Sequence, residues 1–241
     1  MIQPTRMTRR SLLKASATLA SAPALALSQE ASLGKTTASL TADALRAAGF
    51  DPRELTMSRE IRPVTTPGET VVGPALTTKW ALSREGMAAG SIRDFVFDPV
   101  DRAAAGSVWV VESGTDQLLS MFGDLIGLAC KRQGLAGAVT DSGCRDVREM
   151  DAIGFPVFAK GTVLYGPGDI IRPVAADVPV VCGGVVVRPG DLVVADVDGV
   201  IVVPKEAIAI VAGAQSELLA KEEAVRRRID NGETLARAYS L

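Results

Sequence analysis

Short apolar segments alternate with helical patterns through the middle of the chain. Apolar runs at residues 106–112, 136–140 and 156–159 are typical of buried strands. Between them, residues 119–132 carry apolar side chains at helical spacing, and residues 147–153 predict a second, shorter helix. Strands that alternate with helices favour a parallel sheet, so the pattern predicts a central βαβαβ unit.

On the N-terminal side of this unit, the pattern indicates a helix and two strands. Residues 41–48 predict a helix that Thr41 caps. Residues 62–79 predict two strands with turns at Pro67-Gly68 and Gly73-Pro74, because glycine and proline are the residues that most often interrupt regular structure.

On the C-terminal side, valine-rich runs are separated by turn signals. Residues 177–204 are divided at Gly183-Gly184, at Pro189-Gly190-Asp191 and at Asp198-Gly199, which predicts antiparallel hairpins. The charged segment from Pro204 to Leu235 predicts a closing helix. We therefore expect one α/β domain over residues 40–241, with hairpins and a C-terminal helix around the central unit.

The residues before this domain have a different pattern, in which a basic segment is followed by an apolar run. The basic segment Thr8–Lys14, with paired arginines, is followed by an apolar run over residues 15–26 that ends in Ala24-Leu25-Ala26. This order is typical of a signal peptide, and the arginine pair resembles a twin-arginine export signal. The run is too short to span a membrane, so we expect no membrane span in the mature chain. The sequence predicts a signal peptide over 1–26, a linker over 27–39 and a periplasmic protein; a basic leader on a cytoplasmic protein is the alternative.

Composition excludes several classes of site. The chain contains no histidine, which excludes Ser-His-Asp and Cys-His catalysis and histidine-ligated metals. A net charge of −2 and an aromatic content of 4% argue against a nucleic-acid partner. Cys130, Cys144 and Cys182 match no zinc-site spacing, and we interpret them as buried free thiols, with oxidation of one pair as the alternative.

Groups suited to binding an anion and a cation are concentrated between residues 123 and 146. Gly123 to Ile126 opens a helix after a strand, and the free N–H groups at a helix N-terminus favour an anion. The next strand ends at Asp141, and the turn after it carries Arg145 and Asp146. Loops at the carboxyl ends of neighbouring parallel strands meet, so we expect these groups to converge on one cleft.

The residue types in this segment indicate a chemistry. An arginine binds a substrate carboxylate through two parallel hydrogen bonds. Grouped carboxylates without histidine or paired cysteine suit Mg²⁺ or Mn²⁺. The pattern alone leaves other interpretations open: Asp141 as an ordinary turn residue, and Arg145-Asp146 as an exposed pair in which the acid caps a helix.

The same segment is similar to the family of regulator of ribonuclease activity A-like proteins, which includes the 4-hydroxy-4-methyl-2-oxoglutarate/4-carboxy-4-hydroxy-2-oxoadipate aldolases. That family carries an Asp or Glu, twenty residues, and then Arg-Asp. Here Asp124 is followed by residues 125–144 and then by Arg145-Asp146. The resemblance extends to Phe155–Gly161 and to the segment from Pro189 to Pro204, and covers about residues 40–235.

The resemblance implies a swivelling β/β/α sandwich that forms a homotrimer or homohexamer with active sites near subunit interfaces. It implies a metal-dependent lyase that releases pyruvate from a 2-oxo acid, with oxaloacetate decarboxylation alongside. By position, Asp146 would bind the metal, and Arg145 would hold the pyruvyl oxygens. The substrate loop would comprise four residues, Gly123, Asp124, Leu125 and Ile126.

Two questions stay open at this level. Without histidine, the base that removes the hydroxyl proton would be a water held by Asp124 or an acid from a neighbouring subunit, with Glu222 and Glu223 as candidates. The same family includes non-catalytic interaction proteins, which is the alternative function. A methyltransferase function is not favoured, because no Gly-x-Gly-x-x-Gly pattern opens a helix.

Overall fold

The computed structural model of the chain describes residues 36–66, 68–83 and 92–240. The expected signal peptide over residues 1–26, most of the expected linker, and Pro67 of the expected turn lie outside the described residues. In the part that the structure describes, no helix combines the length and the apolar character needed to cross a membrane.

The described residues form short strands around one long strand, with helices on one side. The strands are β1 Arg62–Pro63, β2 Val71–Leu82, β3 Val108–Glu112, β4 Ser120–Phe122, β5 Gly137–Thr140, β6 Gly143–Cys144, β7 Val157–Ala159, β8 Gly161–Thr162, β9 Ile171–Ala176, β10 Val180–Cys182, β11 Val185–Val187, β12 Leu192–Asp196 and β13 Gly199–Val203. The helices are α1 Ala38–Ala47, α2 Asp98–Asp101, α3 Asp124–Gln133, α4 Val147–Ile153, α5 Ile208–Asp230 and α6 Leu235–Ala238. A π-helical turn, Arg93–Phe97, leads into α2.

The main sheet has the order β1-β7-β5-β3-β2-β12-β13, and β9 also pairs with β2. Strands β2, β3, β5 and β7 are parallel, and helices α3 and α4 connect β3 to β5 and β5 to β7. The predicted central βαβαβ unit is therefore confirmed. Two smaller sheets accompany it: the hairpin β10–β11 and the parallel set β4-β6-β8.

Alternation along the strands builds a layer on each face of the main sheet. In β3, Val108 and Val110 pack toward the β10–β11 hairpin, while Trp109 and Val111 pack toward the helices. A third cluster joins α1 and α5 to β12 and β13. Hairpin, sheet and helices are the three layers of the expected β/β/α sandwich, and the single α/β domain is confirmed.

The expected turn at Gly73-Pro74 is wrong, because β2 continues through it. A Cβ atom on Gly73 would collide with the carbonyl oxygen of Gly106, so glycine at this position lets two backbone segments approach each other closely. The ladder between β2 and β3 begins only at Ala75, one residue after Pro74. At that place the missing N–H of proline removes no bond from the ladder.

Two predicted helices begin at other residues. The N-cap of α1 is Thr37 and not Thr41: the Thr37 hydroxyl accepts the N–H of Leu40 at 3.1 Å. Residues 36–39, which the sequence assigned to the linker, thus pack on the domain. The helix predicted from residue 119 begins at Asp124 because strand β4 comes first, and it ends at Gly134, which adopts the left-handed conformation with φ of 87°.

Candidate functional site

The two halves of the predicted site are brought together by the small parallel sheet. In the pairing of β4 with β6, Phe122 lies opposite Cys144, and the N–H of Arg145 donates to the carbonyl of Phe122 at 3.0 Å. Both strands run in the same direction, so the residues that follow them lie side by side. Gly123 and Asp124 therefore adjoin Arg145 and Asp146, although twenty residues separate the pairs.

Asp146 has an unusual backbone and an unusual side-chain position. Its φ of 57° places it in the left-handed region, which few residues other than glycine, asparagine and aspartate adopt. It stands at the N-cap of α4, yet its side chain makes no capping hydrogen bond to that helix. Its Oδ2 atom instead accepts the N–H of Asp124 at 3.3 Å and lies 3.5 Å from Nε of Arg145. The interpretation of Asp146 as a simple helix cap is therefore not supported.

Gly123 leaves the space that this carboxylate occupies. A Cβ atom on Gly123 would lie 2.7 Å from Oδ2 of Asp146 and 3.3 Å from Nε of Arg145. The φ of Gly123 is −141°, an extended value that other residues adopt easily. Glycine at this position therefore leaves room for the Asp146 carboxylate, and backbone freedom is not the reason for it.

A cavity of about 470 Å³ opens beside these groups. All four residues of the predicted substrate loop, Gly123, Asp124, Leu125 and Ile126, line it, as does Arg145. The loop is the first turn of α3, whose N–H groups have no partners within the helix and whose dipole favours an anion. The half-exposed Arg145 side chain adds a guanidinium. One end of the cavity is therefore suited to a carboxylate.

Most of the remaining lining is aromatic or aliphatic, which the sequence did not predict. Trp80, Trp109, Phe97 and Phe122 belong to it. The rings of Trp109 and Phe122 meet edge to face with centroids 5.1 Å apart, and the indole N–H of Trp109 donates to the Thr78 hydroxyl at 3.0 Å. One signal was available in the sequence: of the two tryptophans in a chain poor in aromatics, Trp109 lies on the predicted strand 106–112 and Trp80 directly follows the predicted segment 62–79.

Comparison with known proteins identifies the family. The family model for RraA-like proteins, Aldolase/RraA, matches residues 38–202. The chain belongs to the Aldolase/RraA family.

Three known proteins are similar to this chain in sequence, and two of them, which are solved structures, are also similar to it in fold. A protein of Halalkalibacterium halodurans, provisionally named 4-hydroxy-4-methyl-2-oxoglutarate aldolase, is 35% identical over 76% of this chain and 82% of that protein. The crystal structure of Streptomyces coelicolor RraAS2, an unusual member of the RNase ES inhibitor RraA protein family, is 29% identical with a TM-score of 0.70 over 83% of this chain and 96% of that one. An uncharacterized protein of Pseudomonas syringae pv. tomato is 25% identical with a TM-score of 0.74 over 88% of this chain and 96% of that one. The aldolase relatives support an aldolase-like function for this Aldolase/RraA member.

Asp141 does not join the site, although the sequence placed it among the groups expected to converge on one cleft. Its Oδ1 accepts the N–H of Ser113 at 2.8 Å, and it does not line the cavity. It lies instead in the electrostatic neighbourhood of Glu112, Lys160 and Cys182, toward the hairpin side of the sheet. Burial raises the pKa of Asp141 above its usual value, although the Ser113 hydrogen bond and Lys160 oppose the shift.

The three cysteines are free and buried, as interpreted from the sequence. Burial raises the pKa of the Cys130 and Cys144 thiols to about 12, and it raises that of Cys182 as well. Thiols with such pKa values are poor nucleophiles near neutral pH. They therefore contribute to packing and not to the chemistry of this Aldolase/RraA site.

The candidate acids on the last long helix lie apart from the cavity of their own chain. Glu222 and Glu223 are exposed on α5, and Glu223 lies 3.5 Å from Nη1 of Arg227. Among the described residues that line the cavity, Asp124 is the one acid.

Asp124, which lines the cavity, and Asp146, which lies behind it and does not line it, fit a loosely held Mg²⁺ or Mn²⁺. Over residues 36–66, 68–83 and 92–240, no group of three or more Cys, Asp or Glu side chains is placed to hold a metal. Mg²⁺ does not need such a cage, since it usually keeps several waters and binds one or two carboxylates together with the substrate. The Asp146 carboxylate makes only long contacts, of 3.3 and 3.5 Å, within the protein, and the Asp124 residue adjoins it. This donor set suits such an ion.

Proposed function

We propose that the protein is a divalent-metal-dependent lyase that cleaves a 4-hydroxy-2-oxo acid and releases pyruvate, with oxaloacetate decarboxylation as a second activity of the same site. The observation that carries this proposal is the side-chain position of Asp146. A strained residue at a helix N-cap directs its carboxylate away from the helix and toward the loop at Gly123 and Asp124. Strain of this kind is common at functional sites.

The polar end of the cavity supplies the groups that a 2-oxo acid needs. The N–H groups at the start of α3 and the guanidinium of Arg145 bind the substrate carboxylate. Asp146 and, through water, Asp124 would hold the cation. When bound, the cation supplies Lewis acidity at the keto oxygen, where negative charge develops as the carbon–carbon bond breaks.

Cleavage requires movement of one proton at each end of the broken bond. The hydroxyl proton on C4 passes to a base, the C3–C4 electron pair moves toward the keto group, and a proton then returns to C3 to form the methyl group of pyruvate. We assign the base to a water held by the Asp124 carboxylate, since Asp124 is the one acid among the described lining residues. An acid from a neighbouring subunit is the alternative. In oxaloacetate, CO₂ leaves in place of the carbonyl product.

Measurement of pyruvate release tests this proposal. The purified protein is incubated with 4-hydroxy-4-methyl-2-oxoglutarate or with oxaloacetate, with Mg²⁺, with Mn²⁺ or with EDTA. We expect pyruvate from both compounds above the rate of the metal alone, and we expect EDTA to abolish it. No release above the metal-only rate would contradict the proposal and favour the non-catalytic interaction function.

We also propose export by the twin-arginine route and assembly into trimers or hexamers. The arginine pair of the leader and the family resemblance support these two points, respectively. Fractionation of cells and light scattering of the purified protein measure them directly.

A further inference from the structure

The cavity extends well beyond the groups that would bind a pyruvyl unit. The backbone N–H of Asp124 and the guanidinium of Arg145 both adjoin a single atom, Oδ2 of Asp146, so these two lining residues lie together at one end. The cavity volume of about 470 Å³ lies within the range of sites that take whole drug-sized ligands. The part of the cavity away from Asp146 is therefore available to the rest of the substrate.

Apart from Asp124, Arg145 and Arg172, most of the cavity lining is an aromatic and aliphatic wall. Trp80, Phe97, Trp109 and Phe122 are four of the ten Phe, Trp and Tyr residues in the chain, and all four line this one cavity. Behind them lie core side chains that are almost fully buried: Val96, Val111 and Ile171. Such a surface binds apolar groups, because contact with them removes apolar area from water.

The rim of the cavity leaves large apolar side chains in water. Leu125 is 75% exposed, Phe97 48% and Ile92 43%. All three line the cavity, on three different elements: Leu125 in the first turn of α3, Phe97 in the π-helical turn, and Ile92 at its N-cap. A clustered set of exposed apolar side chains at a concave site is typical of a ligand-binding surface.

We propose that this wall binds an apolar substituent of a 2-oxo acid, of aryl or branched alkyl type, carried on C4. The inference rests on the proposed function, because it assigns the part of the substrate that does not react. The reaction would convert R–CH(OH)–CH₂–CO–COOH into R–CHO and pyruvate, where R is the apolar group. All atoms of the substrate are then accounted for, and no further reactant is needed.

A carboxylate in place of R fits this wall less well. A charge held against aromatic and aliphatic side chains loses its hydration without gaining a partner. Apart from Arg145, the described lining contains one cation, Arg172 on β9, whose Nη1 donates to the carbonyl of Gly168 at 3.1 Å. Arg172 is thus the residue through which a substrate with a second carboxylate would bind.

Binding of two unreactive analogues tests the inference without turnover. 2-Oxo-4-phenylbutanoate and 2-oxoglutarate share the 2-oxo acid head and differ in the group at the other end. We expect the phenyl compound to bind at least about tenfold more tightly in calorimetry with Mg²⁺, and to change the fluorescence of Trp80 and Trp109. Equal affinity, or tighter binding of 2-oxoglutarate that is lost in Arg172→Gln, would overturn the inference.

Two variants, each of which removes one aromatic ring, test where the phenyl group binds. Phe97→Ala removes a half-exposed ring from the cavity and should lower the preference for the phenyl compound several-fold. Tyr239→Ala removes an exposed ring that does not line the cavity and should leave the preference unchanged. An unchanged preference in Phe97→Ala, or an equal fall in both variants, would show that the phenyl group binds elsewhere.

Turnover separates this inference from the proposed function. Pyruvate release is compared for 4-hydroxy-2-oxo-4-phenylbutanoate and 4-hydroxy-2-oxoglutarate. A higher kcat/KM for the phenyl compound supports both statements. Release from both with a preference for the dicarboxylate supports the function and overturns the apolar assignment. Tight binding of the phenyl analogue without any release supports the assignment and contradicts the function.

Discussion

The carboxylate of Asp146 fills the space that a side chain at Gly123 would need. A Cβ atom at residue 123 would lie 2.7 Å from Oδ2 of Asp146, well inside van der Waals contact. The crowded atom is the end of a side chain and not backbone, so the carboxylate can move aside. A methyl group at this position therefore displaces the carboxylate and leaves the fold largely unaffected.

This relationship leads to the first prediction. Gly123→Ala should lower metal-dependent pyruvate release about tenfold or more, because groups that position a metal ligand typically contribute that much. The melting temperature should change little. Gly213→Ala is the control, since a Cβ there meets nothing within 4 Å and the residue lies in helix α5. Full activity in Gly123→Ala would show that the position of the Asp146 carboxylate does not matter for the reaction.

The second prediction concerns the charge of Asp146. Asp146→Asn removes the charge but retains the shape, and asparagine tolerates the left-handed φ of 57°. We expect a normally folded protein whose Mg²⁺-dependent pyruvate release falls about a hundredfold or more, since a catalytic cation contributes several kcal/mol. Asp146→Ala should lose the same activity and, in addition, about 1–2 kcal/mol of stability from backbone strain. Activity of Asp146→Asn at saturating Mg²⁺ that equals the wild type would refute the metal assignment.

Arg145 is predicted to bind substrate through its planar guanidinium. Arg145→Lys retains the charge but loses the pair of parallel donors. One charge-assisted hydrogen bond contributes roughly 1.5–3 kcal/mol, so kcat/KM for oxaloacetate should fall about ten- to hundredfold. The apparent Mg²⁺ affinity should change little, because Asp146 is retained. A wild-type kcat/KM would instead indicate an arginine that merely faces water at the start of α4.

Asp141 should make stability depend on pH. Its pKa in the folded protein is raised, chiefly by burial, so the folded state holds its proton more tightly than the unfolded chain, where an aspartate has a pKa of about 3.9. This contribution to stability is present below about pH 3.9 and is lost as pH rises through the folded pKa. Asp141→Asn retains an acceptor for the Ser113 N–H and should raise the melting temperature at pH 7, with a difference that shrinks toward pH 4.

Thermal melts at a series of pH values, with Asp116→Asn as an exposed control, measure the effect of Asp141. A difference that stays constant with pH would show that the carboxyl group of Asp141 is not destabilised by its surroundings.

Export is the fifth prediction. Arg9→Lys with Arg10→Lys should retain the protein in the cytoplasm, because the arginine pair is the recognised feature of the leader. Fractionation of cells that produce each form measures the distribution. Periplasmic accumulation of the double variant would indicate another route, and cytoplasmic location of the unaltered protein would contradict the export prediction.

The helices and strands whose hydrophobic residues recur with a clear periodicity could be predicted from the sequence. The buried runs around Val110 and Val139 and the helix at 147–153 follow from local patterns, and the parallel order follows from their alternation. The strand through Gly73-Pro74 could not be predicted, because the glycine at residue 73 is explained by the close approach of Gly106, which is distant in sequence. Local turn preference and tertiary packing conflict at that position, and packing prevails.

The residues of the candidate site also include some that the sequence could predict and others that it could not. Asp124, Arg145 and Asp146 could be identified because their spacing forms a recognisable motif. The side chains of Trp80, Phe97 and Arg172 could not, since they come from β2, the π-helical turn and β9, and only the folded sheet brings them to one cavity. Asp141 does not reach the expected cleft because it follows β5 of the main sheet and its carboxylate accepts the N–H of Ser113, whereas Arg145 and Asp146 follow β6 of the small sheet.

The parallel pairing of β4 with β6 has a consequence for how this scaffold can diversify. The polar end of the cavity is aligned by main-chain hydrogen bonds, such as the one from the Arg145 N–H to the Phe122 carbonyl, and by the absence of a side chain at Gly123. Much of the remaining wall consists of side chains on other elements, such as Trp80 on β2, Phe97 in the π-helical turn and Arg172 on β9. If the proposed function holds, substitutions there would exchange one aldehyde product for another, while the residues proposed to form pyruvate keep their alignment. A directed-evolution library confined to the wall would thus sample substrate scope separately from catalytic competence.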